Sequence, residues 1–433
     1  MKKYSILFIA IFLLSICAGN VFAQKYAITN ATIVTVTNGT IENGTLIMED
    51  GKITRIGRNI SAPSDAMVVD GRGKFVYPGM IGCYTGIGLN ITSGIWQTTD
   101  QTETGEFNTY FRASQAVNPA SKMINIHRYT GITNAIATPM TADGIIGGQE
   151  FLMNLEGWSA DELTAKDPVS MQLNWPGYRT GGRRGGPDQE SENAKVRTER
   201  LKKELDELLD KTRMYIKAME DFEAGSRQTP PEKDIMIEPL IPIVKKEIPF
   251  TISVGTPSKI KEAIKWVKEQ DVKAVFFGNT DVYKMAEEFA ESGIPMLYTE
   301  LLRMPSLNQP YDLYYSIPKV LYDAGVKFAF CEPGVSSVRN LPFIAGMAAA
   351  YGLPKEESLK AVTIYPAQFY GIDDMLGSLE EGKMANVVVT DGDLLEPRTH
   401  VLNMFINGKE VDLTKSEDYR LYEKFRSRPK IKK

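Results

Sequence analysis

A chain of 433 residues, 43% hydrophobic and 24% charged, has the composition of an ordinary globular protein, with material for one large domain or two to three smaller ones. Its formal charge of −4 gives no basic face for nucleic acid, and the Lys/Arg-rich end from Lys424 to Lys433 reads as a solvated terminus. Only two histidines are present, which leaves few imidazoles for metal or proton chemistry.

At the N-terminus, Lys2 and Lys3 precede the apolar run ILFIAIFLLSICA and then Val21-Phe22-Ala23. This is the pattern of a secretory signal peptide over 1–23, cleaved after Ala23, and the run is too short for a stable membrane span. A lipoprotein reading through Cys17 is weaker, because the bulky Ile16 occupies a position that such processing wants small. No later apolar run reaches the roughly 20 residues a membrane span needs. The expectation is an exported protein, periplasmic or extracellular, with no membrane contact after cleavage. Cys83 and Cys331 then remain, either as buried free thiols or as a pair.

Residues 24–77 alternate and turn, with Asn38-Gly39, Asn43-Gly44 and Asp50-Gly51 separating short β-branched runs, a hairpin signature. After Pro78-Gly79 the pattern becomes strand, loop, helix. Eight candidate buried strands follow at 76–84, 133–139, 151–155, 169–174, 250–254, 272–278, 294–298 and 326–332. Helical patterns such as SKIKEAIKWVKEQ lie between the later ones. Alternating strands and helices predict a parallel sheet, and eight strands over this length predict a closed barrel.

Residues 179–235 interrupt the alternation. RTGGRRGGPDQE reads as a loop and lacks the ending and preceding strand of a P-loop. The stripe Leu201, Leu205, Leu208, Thr212, Tyr215, Met219 and Phe222 then predicts an amphipathic helix lying on the barrel. Residues 376–415 return to short β runs. The organisation expected is an α/β fold: a (β/α)8 TIM-like barrel over 78–375, and a small composite β-sandwich from 24–77 and 376–415.

The blocks Pro78-Gly79-Met80-Ile81, VRNLPFIAGMAAAYGLPKEESLKAVTIYPAQFYGIDD, LGSLEEGKMANVVV and FINGKEV, in that order, resemble the amidohydrolase superfamily, in particular its imidazolonepropionase-like exported members. Weaker similarity runs through GITNAIATP, IGGQEFLMNLEGW and 249–300. The resemblance implies a metal-dependent hydrolase whose metal is held by a His-x-His pair on the first strand, a histidine on each of the fifth and sixth strands, and an aspartate on the eighth. Such ligands leave a position open on Zn²⁺ for a water that loses its proton near neutral pH.

Laid on this chain, the His-x-His falls on Tyr84 and Gly86, and the aspartate before it on Gly82. The fifth-strand histidine falls on Ser253, the sixth-strand one on Gly278 or its neighbour Asn279, and the eighth-strand aspartate on Pro333 with Glu332 one place away. His127, in a helix outside the barrel, and His400, in the β domain, read as structural or surface residues. Ser253 has no histidine near it to activate a nucleophile. With inward positions at 84 and 86, Cys83 is expected to point outward. Cys331 can pair with it only if Glu332, not Pro333, takes the aspartate's place.

The reading that follows is an exported amidohydrolase-fold pseudoenzyme without metal, cofactor or catalytic residues of the family kind. Its barrel mouth offers Tyr84, Gly86, Ser253, Gly278, Asn279 and Glu332 to a small polar ligand or to another chain, in a homo-oligomer or in a heteromer with an active paralogue. The alternative is an active hydrolase of C–N bonds, in non-peptide or cyclic amides, working through an atypical site.

Overall fold

The computed structural model describes residues 24–91, 95–141, 144–177, 192–278 and 281–429. The expected leader 1–23, Asn279 and the whole of the Gly-rich stretch RTGGRRGGPDQE, within 178–191, lie outside the described residues. Five strands come first: β1 (Tyr26–Val34), β2 (Thr40–Glu49), β3 (Lys52–Gly57), β4 (Met67–Asp70) and β5 (Phe75–Pro78). The barrel and its roof follow with β6 (Met80–Thr85), β7 (Thr102–Glu103), β8 (Ile132–Ala137), β9 (Met140–Thr141), β10 (Ile146–Asn154), β11 (Thr164–Asn174), β12 (Phe250–Ser253), β13 (Ala274–Phe277), β14 (Met296–Tyr298) and β15 (Phe328–Phe330). The C-terminal strands are β16 (Val387–Thr390), β17 (Val401–Ile406) and β18 (Lys409–Glu410).

β1–β5 and β16–β18 join in one mixed sheet in which β5, from the N-terminal part, pairs β16, from the C-terminal part. The expected sandwich therefore takes the form of a continuous sheet curled over its own core of Ile28, Ile33, Leu46, Val76, Val387 and Phe405. Its far edge meets residues 382–385, where Ile53 N–H donates to Lys383 O at 2.9 Å and Ala385 N–H to Gly51 O at 2.8 Å. Curling in this way leaves little open edge.

The second eight-stranded sheet has the order β15-β14-β13-β12-β11-β10-β8-β6, and it uses all eight segments predicted as barrel strands. One expectation fails: β10 runs antiparallel to both β8 and β11, so the barrel is not wholly parallel. Only residues 138–145 separate β8 from β10, too few for the crossover a parallel neighbour requires. β6 and β15 share no ladder. Residues 361–362 bridge their seam, Ala361 O accepting from Phe330 N–H and Val362 O from Ile81 N–H, each at 3.0 Å.

The inserted helix spans Glu192–Glu223 and buries Leu201, Leu205, Leu209 and Thr212. Leu209 takes the place expected of Leu208, which is half-buried, because a four-residue step from Leu205 keeps the line facing the barrel. No helix among the described residues is long and apolar enough to cross a membrane.

A buried amide network joins the two sheets. Asn386 Nδ2 donates to Asn134 Oδ1 at 2.7 Å, Asn134 Nδ2 to Asn154 Oδ1 at 2.9 Å, and Asn386 Oδ1 accepts from Asn407 N–H at 2.7 Å. Replacing Asn386 with alanine strands the half-buried Asn407 N–H and removes one of two donors to Asn134 Oδ1, which keeps the Thr133 hydroxyl at 2.8 Å, so it should cost roughly 1–3 kcal/mol. Urea unfolding of Asn386→Ala should show a lower midpoint at unchanged slope.

Candidate functional site at the barrel mouth

Inside the barrel the polar side chains gather on one side. β8, β10, β11 and β12 supply Asn134, Thr138, Glu150, Ser170, Gln172, Thr251 and Ser253, all buried. β13, β14, β15 and β6 supply Val275, Phe277, Leu297, Ala329, Cys331, Ile81 and Cys83, and Ile136 and Leu152 of β8 and β10 join this apolar set. Strand alternation turns every second residue of each strand inward.

At the end of β6 the alternation breaks. Tyr84 has a left-handed backbone (φ 53°), and the β6–β8 register slips between Gly82 and Thr85. A bulge of this kind inserts one residue and re-aims its neighbours, so both Cys83 and Tyr84 lie in the interior cluster. The expectation that Cys83 points outward is thereby corrected. Both thiols are free and buried, Cys331 Sγ–H donating to Cys83 O at 3.0 Å. Burial pushes both thiols above their ordinary value, which leaves them without thiolate character.

The Tyr84 ring stacks on Phe277, centroids 3.6 Å apart and planes 14° from parallel. Its hydroxyl is 2.8 Å from Ser253 Oγ, and Gln172 Nε2 donates to it at 3.3 Å. Gln172 is fixed in turn, donating to Asn174 Oδ1 at 2.7 Å and accepting from Gly147 N–H at 3.0 Å. Of the expected ligand-facing residues, the structure thus brings Tyr84 and Ser253 together, bonded to each other and buried.

Gly86 lies beneath a roof. A Cβ placed there would fall 2.5 Å from Gln101 Oε1, closer than real Cβ contacts allow. Gln101 Nε2 donates to Thr138 O at 3.0 Å, Gln149 Nε2 donates to Thr109 O at 2.9 Å, and β7 pairs β9 in a small two-stranded cap. Gly82 is equally closed, since its Cβ would meet Val338 Cγ1 at 2.6 Å. Gly278, half-buried just after β13, has a left-handed φ of 72°.

Glu332 belongs to a different group, at the β14–β15 side of the mouth. Burial, aided by the Glu300 charge and opposed by a Ser337 hydrogen bond, pushes its carboxyl up to about 7. Glu300 itself pairs with Arg303 at 3.1 Å, and the Arg303 guanidinium lies 5.5 Å from the centre of the Tyr314 ring. His127 is buried outside the barrel with Nε2 2.9 Å from Val335 O, and His400 is exposed beside Asp391. Among the described residues, no group of three or more His, Cys, Asp or Glu side chains is placed to share a metal ion.

Sequence reasoning missed Gln101, Gln172, Phe277 and Glu150. Glu150 is fully buried and accepts from Thr138 Oγ1 at 2.7 Å, from Thr251 Oγ1 at 2.5 Å and from Ser170 Oγ. Burial raises its carboxyl above the ordinary range, against those three hydroxyls, which lower it. Its signal was available: a charged residue in the middle of nine consecutive strand residues that must all be buried. Gln172 was legible in the same way, from the polar alternation Ser170, Gln172, Asn174 between apolar neighbours.

Residues 167–411 match the sequence pattern of the amidohydrolase family. The chain belongs to that family. The crystal structure of an amidohydrolase from Thermotoga maritima MSB8 has the same fold, with a TM-score of 0.75 at 26% identity over 89% of this chain and 99% of that one. Imidazolonepropionase from Thermoplasma volcanium is 24% identical over 82% of this chain and 85% of its own length. Amidohydrolase tasK from Hapsidospora irregularis is 22% identical over 84% of this chain, which spans only 39% of that longer protein.

Proposed function

We propose that this amidohydrolase-family protein is an exported non-catalytic member that does not run the family's metal-dependent hydrolysis, and that it acts by binding a ligand or a partner chain. One observation carries the reading: Tyr84 stands where the family's first metal histidine is expected, and its hydroxyl is held by Ser253, where another is expected. Of the remaining imidazole positions, Gly86 and Gly278 have no side chain to offer a metal, and Asn279, the neighbour of Gly278, offers an amide in place of an imidazole. Two hydroxyls that satisfy each other and two glycines do not fit Zn²⁺, which is held by thiolate, imidazole or carboxylate. The leader pattern at 1–23 supports export.

A second reading is favoured by Glu332. A carboxyl pushed up to about 7 at the end of the eighth barrel strand is suited to general acid–base work near neutral pH. The relative named imidazolonepropionase points this alternative at cyclic amides.

The two readings separate in one experiment. The wild type and the five-fold variant Tyr84→His, Gly86→His, Ser253→His, Gly278→His, Pro333→Asp are assayed on a panel of amides and cyclic amides, with and without Zn²⁺. Neither should turn over substrate, because Gln101 fills the space beside Gly86 and unsupported ligands catalyse poorly. Hydrolysis by the five-fold variant would show a preserved active site. Hydrolysis by the wild type that Glu332→Gln abolishes would establish the second reading.

A further inference from the structure

The helix Glu417–Arg426 is fixed by its first turn to the outside of the barrel. Ser416 caps it, the hydroxyl accepting from Tyr419 N–H at 3.1 Å. Residues just ahead of β8 hold that end. Tyr129 Oη–H donates to Leu413 O at 2.7 Å and touches the Ser416 hydroxyl, and Lys122 pairs with Glu417 at 2.5 Å. Tyr419 and Glu423, one turn apart, are half-buried. Leu421, Tyr422 and Phe425 fall on another side and stand 48%, 61% and 46% exposed. At about 100° per residue these three share one face, so the helix turns an apolar stripe to the outside.

Basic groups border that stripe. Lys424, Arg426 and Arg428 are exposed, and the Arg428 guanidinium lies 4.1 Å from the centre of the Phe425 ring. The sequence from 424 to 433 has six Lys or Arg and no acid. Of the acids on the helix, Glu417 and Asp418 stand in its first turn, and Glu423 pairs with Arg426 at 3.1 Å. Positive charge therefore collects towards the helix C-terminus, where the backbone dipole also favours it. The chain as a whole has a net charge of −4, so this is a basic spot on an acidic protein.

We propose that this helix docks the protein on an anionic phospholipid surface. A helix with an apolar face flanked by Lys and Arg lies in the plane of a bilayer, its rings at the headgroup boundary and its cations among the phosphates. Charge and side-chain type together select that occupant. An anionic bilayer takes Leu421 and Phe425 below the headgroups, keeps the Tyr422 hydroxyl at the boundary and neutralises the cations. A neutral bilayer leaves the cations unmatched, and a second copy of this chain brings like charges against them. The stripe is small, so the attachment is reversible and needs both the apolar and the basic part. The charges alone predict a solvated terminus with no membrane contact; the stripe beside them changes that reading. The barrel mouth takes no part, and the inference stands whether or not that mouth is catalytic.

Vesicle flotation tests it, with the purified protein freed of its leader, as checked by intact mass. At about 50 mM salt it should float with phosphatidylcholine vesicles containing about 30% phosphatidylglycerol, stay behind with phosphatidylcholine alone, and be released at about 1 M salt. The variant Lys424→Gln/Arg426→Gln/Arg428→Gln should bind roughly 100-fold more weakly, at about fivefold per cation. Tyr422→Ser/Phe425→Ser should lose at least about tenfold through the apolar face. All five positions are exposed, so the fold should hold, checked by an unchanged far-UV circular dichroism spectrum. Leu307→Ser, at an equally open residue elsewhere, should leave binding intact. A wild type that stays behind with anionic vesicles overturns the proposal, as it would if the face awaited an acidic protein. Equal binding to neutral vesicles, or undiminished binding by the Tyr422/Phe425 variant, overturns it too.

Discussion

Replacing Glu150 with alanine should be the most damaging single change in the barrel interior. It removes the acceptor of three buried hydroxyls, on Thr138, Ser170 and Thr251, and leaves a hole where a carboxymethyl group was. Stranded polar groups cost about 1–3 kcal/mol each when nothing replaces the partner, though hydroxyls that can turn towards each other cost less. With the cavity included, a loss of roughly 4–5 kcal/mol is expected, a large share of the total stability of a domain. Glu150→Gln should behave differently, because it keeps the volume and removes only the titration. Folding raises the Glu150 carboxyl above its ordinary value of 4.5, so the folded protein binds the proton more tightly than the unfolded chain does. The resulting stability is fully present below pH 4.5 and is lost as pH rises through the folded value. Denaturation from pH 4 upward should therefore show wild type losing stability relative to Glu150→Gln. A wild-type advantage that grows with pH would mean that the buried carboxylate is stabilised as the anion.

The second large effect is expected at Tyr84. Its ring fills the space against Phe277 and its hydroxyl anchors Ser253 and Gln172. Tyr84→Ala should lose about 3–5 kcal/mol, as truncations of buried aromatic rings do. Tyr84→Gly should recover up to about 1 kcal/mol of that, because glycine adopts the left-handed backbone without penalty. Tyr84→Phe, which deletes only the hydroxyl, should cost roughly 1–2 kcal/mol. Combining it with Ser253→Ala should give less than the sum of the two, since both remove the same bond. If instead Tyr84→Ala left stability unchanged and abolished thermal stabilisation by a bound small molecule, the residue would be a ligand contact in an open mouth.

What the sequence disclosed and what it hid follow from what each signal encodes. The eight barrel strands were legible because runs such as VKAVFFG and FTISV are apolar, β-branched or aromatic, and bounded by breakers. Strand direction is not carried by periodicity, and β10 was therefore expected to run parallel. The short connection before it, with Asp143-Gly144, was the better guide, since a hairpin needs only a few residues and a crossover a dozen. The bulge at Tyr84 has no sequence signature, because a tyrosine with positive φ is held there by its surroundings and not by its own preference. Missing it reversed the expected direction of Cys83. The missing imidazoles were plain in the sequence. The Gln101 side chain that closes on Gly86 comes from the loop after β6, and the Val338 side chain that closes on Gly82 from far along the chain, and only the fold brings them there.

Metal content of the purified protein bears most directly on the proposed loss of family chemistry. Protein prepared without chelator and dialysed should retain less than about 0.2 equivalents of zinc, manganese, iron or nickel by elemental analysis, and EDTA should leave its melting temperature unchanged. Near-stoichiometric metal that survives dialysis, with a melting temperature that falls on chelation, would contradict it.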